Sequence, residues 1–431
     1  MPRRAVLTGI GVLSSIGVGP DAFWDSLVHG KSGIRPFRSF DPSGLPVRFA
    51  GEIPDFDAKN YLDKKDRKSL RVMARTIQLA VAAAQLALDD AKVDKEKLDP
   101  TRFGVEFGSG LISTELEELI DAARVASNCQ PGTVDIGKWG QAGLPVITPL
   151  WMLKYLPNML ACHVSILHNA QGPNNTITEN DVAGLLALGE ASRILGRGQA
   201  DIFLAGGGES RLTILSLSRQ CLFAELSRRN DAPEKACRPF DRGRDGIVLG
   251  EGAGVFVVEE LEHARKRGAR ILGEIAGFGA AFDPVDRSKG AKYRSGAGLA
   301  RAMRQALREA GIGPGDIDHV NAHGFSTVGG DAWEARAIRD VFGDSGTPVF
   351  APRSYFGTLG AASATVELTA SVLALSHGQV PPTLNYDESD PECPIAVIAG
   401  KPHTVRTPYV LKLSCTALGQ CAALVYRRWD S

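Results

Sequence analysis

The chain has 431 residues, long enough for a large core organised as two domains or two similar halves. Lys plus Arg and Asp plus Glu each total 49, so the formal charge is zero, and nothing provides the basic face that a nucleic-acid binder needs to neutralise phosphates. Seven scattered cysteines without a CxxC pair fit neither a disulfide framework nor a zinc site. The start of the chain lacks the apolar stretch of a signal peptide, and no run reaches the roughly 18 apolar residues of a membrane span, so a cytoplasmic protein is expected.

Ala5 to Val12 is β-rich and ends in glycines, which predicts a buried first strand. Its Gly9-x-Gly11 is a weak trace of a dinucleotide fingerprint. Ser14 stands at the third glycine position and no acidic residue closes a second strand, so no cofactor is expected. A short capped helix is predicted over Asp21–Leu27, loop over 37–63, and one long amphipathic helix over Lys68–Lys92. A second strand is expected at 102–110, a helix at Ser113–Ala126, and another from Pro157 to Ile166.

Gly172 to Gly184 reads as a strand that stops at a polar Glu179-Asn180-Asp181 elbow and starts a helix. That helix, Val182 to Leu195, is apolar on nearly every side and therefore belongs in the core. A strand-to-helix elbow is a favourable place for a nucleophile, because the helix N-terminus stabilises negative charge. A third buried strand runs from Ala200 to Gly208. The charged loop 238–246 feeds a glycine elbow and a strand ending near Glu260.

The second half repeats this order. Residues 271–279 echo the first strand, 318–324 echo 103–110, and 357–375 echo the elbow and its helix. Two such halves, 1–260 and 261–431, imply a duplicated five-layer α/β/α/β/α architecture with both apolar helices in the middle layer. His323 ends a strand at the sheet's carboxyl edge, where α/β proteins bind ligands; a core histidine bonded to backbone is the plainer alternative. Arg353 is the cation near the second elbow, and the tail from Leu411 to Cys421 reaches the same region.

Arg238-Pro239-Phe240-Asp241 through Glu259, Asn321-Ala322-His323-Gly324-Phe325-Ser326-Thr327 with Asp331 and Glu334, and Pro157-Asn158-Met159 and Gly172-Pro173 together resemble the β-ketoacyl-[acyl-carrier-protein] synthase family, elongating type, from about Arg4 to Arg428. The resemblance implies a thiolase-like fold and three catalytic side chains: a cysteine that takes the acyl group and two histidines that assist decarboxylation of malonyl-carrier protein. His323 matches the first histidine. Asp181 stands where the cysteine would be, Thr358 where the second histidine would be, and Arg353 in place of a lysine, while Glu367 is kept. The glycine-rich gating loop falls on Thr416-Ala417-Leu418-Gly419.

A carboxylate cannot store a chain as a thioester, so the resemblance implies a site that does not condense acyl chains by itself. It would then be a chain-length-factor-like subunit that partners a competent ketosynthase. The alternative is acid–base chemistry on an acyl or polyketide substrate by Asp181 and His323, with Glu179 assisting. The plainest reading of Asp181 is a helix N-cap, worth about 1 kcal/mol. Catalytic positions are thus Asp181, His323 and Thr358. Glu179, Arg353, Cys415 and Ala417 are expected to line the substrate, with no metal. The expected partners are an acyl carrier protein and a second ketosynthase-fold chain, identical or not.

Overall fold

The computed structural model describes residues 3–128, 130, 132–286, 288, 290 and 293–429. Ten principal strands form one hydrogen-bonded sheet: β1 (Ala5–Ser14), β2 (Phe103–Ser109), β3 (Asn174–Ile177), β4 (Ile202–Ser210), β5 (Glu251–Glu260), β6 (Gly273–Phe282), β7 (Ile317–Asn321), β8 (Pro348–Phe350), β9 (Tyr409–Cys415) and β10 (Gln420–Arg428). Two short strands, Gly17–Val18 and Ala396–Val397, bring the sheet to twelve. The main helices are α1 (Pro20–Val28), α2 (Arg75–Asp90), α3 (Met159–His168), α4 (Ala183–Gly196), α5 (Ala297–Ala310), α6 (Val328–Phe342) and α7 (Ser363–His377).

The strand order shows the duplication directly. One half runs β1-β5-β4-β2-β3 and the other β6-β10-β9-β7-β8, with parallel and antiparallel pairings in matching places. The seam is a short antiparallel contact between β1 and β6, Val6 opposite Glu274 and Leu7 opposite Gly273. Alternation of side chains along each strand then separates the core into layers. Val105 and Phe107 of β2 pack with α2 and α3, whereas Leu185 and Leu188 of α4 and Val366 and Leu368 of α7 share the central cluster. Met303 and Leu307 of α5 and Ile338 of α6 cover the far face. The result is the five-layer arrangement expected from the repeat.

The middle layer is built on close backbone approach. A Cβ on Gly184 would lie 2.6 Å from the carbonyl of Ala361, and one on Gly108 2.4 Å from the amide of Gly184. The two elbows therefore touch, with the starts of α4 and α7 side by side.

Three sequence expectations change. The run 68–92 is two elements, a 3-10 helix over Arg67–Val72 and then α2; Met73 is extended and buried between them, and Arg75 at the start of α2 forks onto Glu251 with its Nε at 2.7 Å. Only Ile120–Ser127 of the predicted 113–126 helix is α-helical. The acidic Leu116–Leu119 stretch is a 3-10 turn whose Glu118 accepts from the Tyr155 hydroxyl at 2.7 Å. The α1 start is Gly19 with no side-chain cap, Pro20 supplying the pre-set φ instead.

Candidate functional site

The site forms where the two elbows meet the ends of β7 and β9. In the C-terminal half, β7 delivers Asn321 and the residues after it deliver His323, which is fully buried. Glu334 on α6 accepts from the backbone amides of His323 (2.6 Å) and Gly324 (2.8 Å), fixing the turn that follows the strand. Asp331, one helical turn earlier, accepts from the amides of Phe240 (2.6 Å) and Ser326 (3.0 Å), both with left-handed φ, and so ties the charged loop at 238–246 to the same place.

Arg353 is the hub. Its Nε donates to Glu367 at 2.9 Å, Nη1 lies 3.0 Å from His323 Nε2 and 3.3 Å from the Thr358 hydroxyl, and Nη2 lies 3.2 Å from His323 Nδ1. Glu367 also accepts from Lys412, whose ammonium reaches Asn321 Oδ1 at 3.0 Å and the carbonyl of Ala322 at 3.2 Å. All six side chains are buried. Burial works against the charge on Arg353, yet the carboxylates of Glu367 and Asp181 raise its pKa. Burial and the cations Arg353 and Lys412 push the His323 pKa well below the ordinary histidine value, so its ring is neutral. The backbone amide of Cys415 lies 3.3 Å from His323 Nδ1, leaving that edge of the ring occupied.

The N-terminal elbow is arranged differently. Asn180 is left-handed (φ 46°), a conformation that Asn tolerates, and it turns the chain into a 3-10 turn, Asn180–Val182, that runs into α4. The N-cap of α4 is Val182 with no side-chain cap, so Asp181 does not cap the helix. Its carboxyl turns instead toward two guanidinium groups, Arg353 and Arg211, both of which it holds more strongly charged. Arg211 also pairs with Glu209 through Nε at 2.5 Å and reaches Asn180 Oδ1 at 3.4 Å. Asp181 Oδ1 is buried and has no hydrogen-bond partner. Its backbone carbonyl accepts from the Ser414 hydroxyl at 3.0 Å, joining the elbow to β9.

Asp181, His323, Thr358, Arg353 and Cys415 thus come together. Two expected residues do not. Glu179 is exposed at the start of the turn with no side-chain cap bond, because the strand ahead of it runs along the sheet's outer edge. Ala417 is exposed at the tip of the β9–β10 hairpin, where its carbonyl accepts from Arg294 at 3.0 Å rather than facing the cluster. Arg211, Glu209 and Lys412 were not singled out by sequence reasoning. Only the Gly-Gly-Gly-Glu-Ser-Arg ending of β4, glycines running into a charged pair, marked Glu209 and Arg211. Burial raises the Cys415 thiol well above its ordinary value and pushes Cys237, near Arg353, up to about 12, so neither is a ready nucleophile. Cavities of about 560, 530 and 310 Å³ open on other parts of the surface, and neither Asp181, His323, Arg353 nor Thr358 lines them.

A duplicated five-layer fold whose helix-start elbow, strand-end histidine and buried Lys-Glu pair converge in this way defines a thiolase-like condensing-enzyme architecture. The models of the β-ketoacyl synthase N-terminal and C-terminal domains match residues 3–264 and 272–387, and the chain belongs to the β-ketoacyl synthase family. It is 36% identical to a 3-oxoacyl-[acyl-carrier-protein] synthase 2 of Vibrio harveyi, over 97% of this chain and 96% of that one. Likewise, 36% identity to the synthase 2 of Coxiella burnetii spans 99% of both chains. Among solved structures it is similar to the ishigamide ketosynthase/chain length factor (TM-score 0.86, 30% identity, 100% of both chains). It is also similar to a β-ketoacyl synthase from Burkholderia phymatum (TM-score 0.87, 30% identity, 99% of this chain and 100% of the other). A type II polyketide synthase acyl-carrier protein in complex with its ketosynthase is a further neighbour (TM-score 0.84, 29% identity, 100% of both chains). Among the described residues no helix is long and apolar enough to cross a membrane.

Proposed function

We propose that this chain is a ketosynthase-fold subunit that does not condense acyl chains itself and works beside a competent ketosynthase in fatty-acid or polyketide synthesis, in the manner of a chain-length factor. The observation that carries this reading is the position of Arg353. Its Nη1 contacts both His323 and Thr358, so the chain's own guanidinium fills the gap between the two side chains that correspond to the family's histidine pair. Condensation through a thioester needs a thiol at the start of α4. The carboxyl of Asp181 stands there instead, flanked by Arg211 and Arg353.

The same contacts weigh against acid–base chemistry by Asp181 and His323. A general base must present a free lone pair to the proton it removes. Both ring nitrogens of His323 face N–H groups of Arg353, and Nδ1 also faces the amide of Cys415. Glu179, the other candidate, is outside the cluster.

Likeness to an acyl-carrier complex supports a carrier protein as a partner, and likeness to a ketosynthase/chain length factor supports a non-identical ketosynthase chain. Incubation with malonyl- and acyl-carrier protein, read by intact mass, is expected to give neither an acyl adduct nor loss of CO₂. Co-expression with a ketosynthase that keeps its cysteine is expected to yield a heterodimer. A covalent adduct on any residue, or self-dimers in every pairing tried, would overturn the reading.

A further inference from the structure

Cys415 and Cys421 are directly opposite one another at the last register position of the β9–β10 hairpin. The amide of Thr416 donates to the carbonyl of Gln420 at 2.9 Å, which makes the neighbouring 415/421 pair a non-hydrogen-bonded one. In such pairs the Cα atoms lie about 4.5 Å apart and the side chains are close. Disulfides span Cα separations of roughly 4.4–6.8 Å, so the pair falls within bonding range without a change of register. Both thiols are fully buried and interact with each other.

The strand carrying Cys415 is also attached to the site. Its amide faces His323 Nδ1 at 3.3 Å, and the preceding Ser414 donates to the backbone of Asp181 at 3.0 Å. Beyond the pair, the hairpin tip is solvent-exposed, with Leu418 70% accessible. The turn is closed by two backbone bonds and by Thr416 Oγ1, which accepts from the Gln420 amide at 3.2 Å. Opening this short turn is the route by which a reagent reaches the sulfurs.

We propose that Cys415 and Cys421 form a redox-modifiable dithiol whose oxidation to a cross-strand disulfide shifts the hairpin against His323. With a peroxide as oxidant, one sulfur takes up oxygen as a sulfenic acid, the O–O bond breaks and one water leaves. The second thiol then displaces the hydroxyl as another water, so two S–H bonds are exchanged for one S–S bond and the peroxide takes the two electrons. Burial keeps the Cys415 thiol protonated, so the reaction is slow and paced by opening of the turn. The dithiol does not depend on whether the subunit condenses acyl chains.

The test uses the full chain treated with hydrogen peroxide, then alkylated, digested with trypsin and weighed. No Lys or Arg lies between the two cysteines, so both fall in the peptide from Leu413 to Arg427. That peptide is expected two hydrogens lighter and resistant to alkylation, with full alkylation restored by dithiothreitol. Cys421→Ser is expected to abolish the mass loss, while Cys393, in the same core cluster, serves as the thiol that stays alkylatable. The imidazole Cε1–H signal of His323, identified by its loss in His323→Gln, is expected to move on oxidation of the wild type and not of Cys421→Ser. Two freely alkylated thiols after peroxide, or a disulfide involving Cys393, would overturn the dithiol. An oxidised sample with an unmoved His323 signal would overturn its coupling to the site.

Discussion

The two elbows have the same place in a duplicated topology and opposite polar chemistry. At the C-terminal one, Glu367 accepts from Arg353 and Lys412 among buried neighbours, and Asn321 adds bonds to the Glu367 carbonyl (2.6 Å) and the Ser371 hydroxyl (2.7 Å). At the N-terminal one, Asp181 Oδ1 is buried without a partner. On the adjoining strand β2, Glu106 is fully buried beside the carboxylate of Glu190 and the side chain of Asn175. Unsatisfied buried groups cost about 1–3 kcal/mol each, so evolution of a purely structural core would remove them. The C-terminal cluster is thus the fold's internal brace, while the N-terminal elbow retains polar groups that stability alone does not explain. Strand β3 beside it is the sheet's outer edge, half-exposed and open to pairing.

Removing the brace is expected to have the largest effect. Glu367→Ala leaves Arg353 and Lys412 as buried, uncompensated cations and is expected to destabilise the protein by about 3–5 kcal/mol. Denaturant titration measures it; a loss as small as that of a surface substitution would contradict the brace. Next comes placing on the two elbows the cysteine and the second histidine that the family resemblance implies. Asp181→Cys with Thr358→His is expected to take an acyl group from acyl-carrier protein, detected by intact mass. Asp181→Cys alone is expected to condense about 10²–10³-fold more slowly than the double variant, the usual cost of one missing oxyanion donor.

Glu106 gives a smaller effect with a definite sign. Burial first, and then the carboxylate of Glu190, raise its pKa from 4.5 to about 7, against a lowering by Asn175. A carboxyl whose pKa is raised by folding binds its proton more tightly in the native state. Its contribution is therefore fully present below about pH 4.5 and is lost as pH rises to about 7. Glu106→Gln is expected to flatten that part of the stability–pH curve and to recover about 1–3 kcal/mol at pH 8, followed by thermal unfolding across pH. The smallest effect belongs to Thr327, whose side chain caps α6 by accepting from the Gly330 amide at 3.2 Å. Thr327→Ala is expected to cost about 1 kcal/mol, because it loosens one end of the helix that carries Glu334 without touching the buried ion pairs.

Much of this architecture was legible because it is written locally. Strands ending in glycines, two apolar helices and a repeated order announce a duplicated sheet with its helices inside. His323 and Arg353 drew attention by their places at a strand end and beside an elbow, whereas Thr358 was marked only by the resemblance to the β-ketoacyl synthase family. What was not legible depends on side chains that meet only through the fold. Arg211 follows Asp181 by thirty positions and reaches it because β4 ends beside the elbow. The same arginines explain why Asp181 fails to cap α4, although an Asp at a helix start reads as a cap in sequence. Glu179 lies only two residues before Asp181, but it precedes the turn that carries Asp181 inward and stays exposed where the chain leaves the sheet's edge strand. The break before α2 was hidden because Arg75, like its neighbours, is a good helix former; its buried partner Glu251 lies 176 residues on.

The seam between the halves also sets a schedule for synthesis. β1 is apolar and fully buried, yet its neighbours are β5, with Ala5 opposite Glu260, and β6, with Val6 opposite Glu274. A ribosome adding about 5–20 residues per second needs on the order of 12–50 s between completing β1 and completing β5. For that interval the first strand has only the short strand Gly17–Val18 to pair with. Early folding therefore proceeds before the first strand has its main partners, and the sheet closes only when β5 arrives.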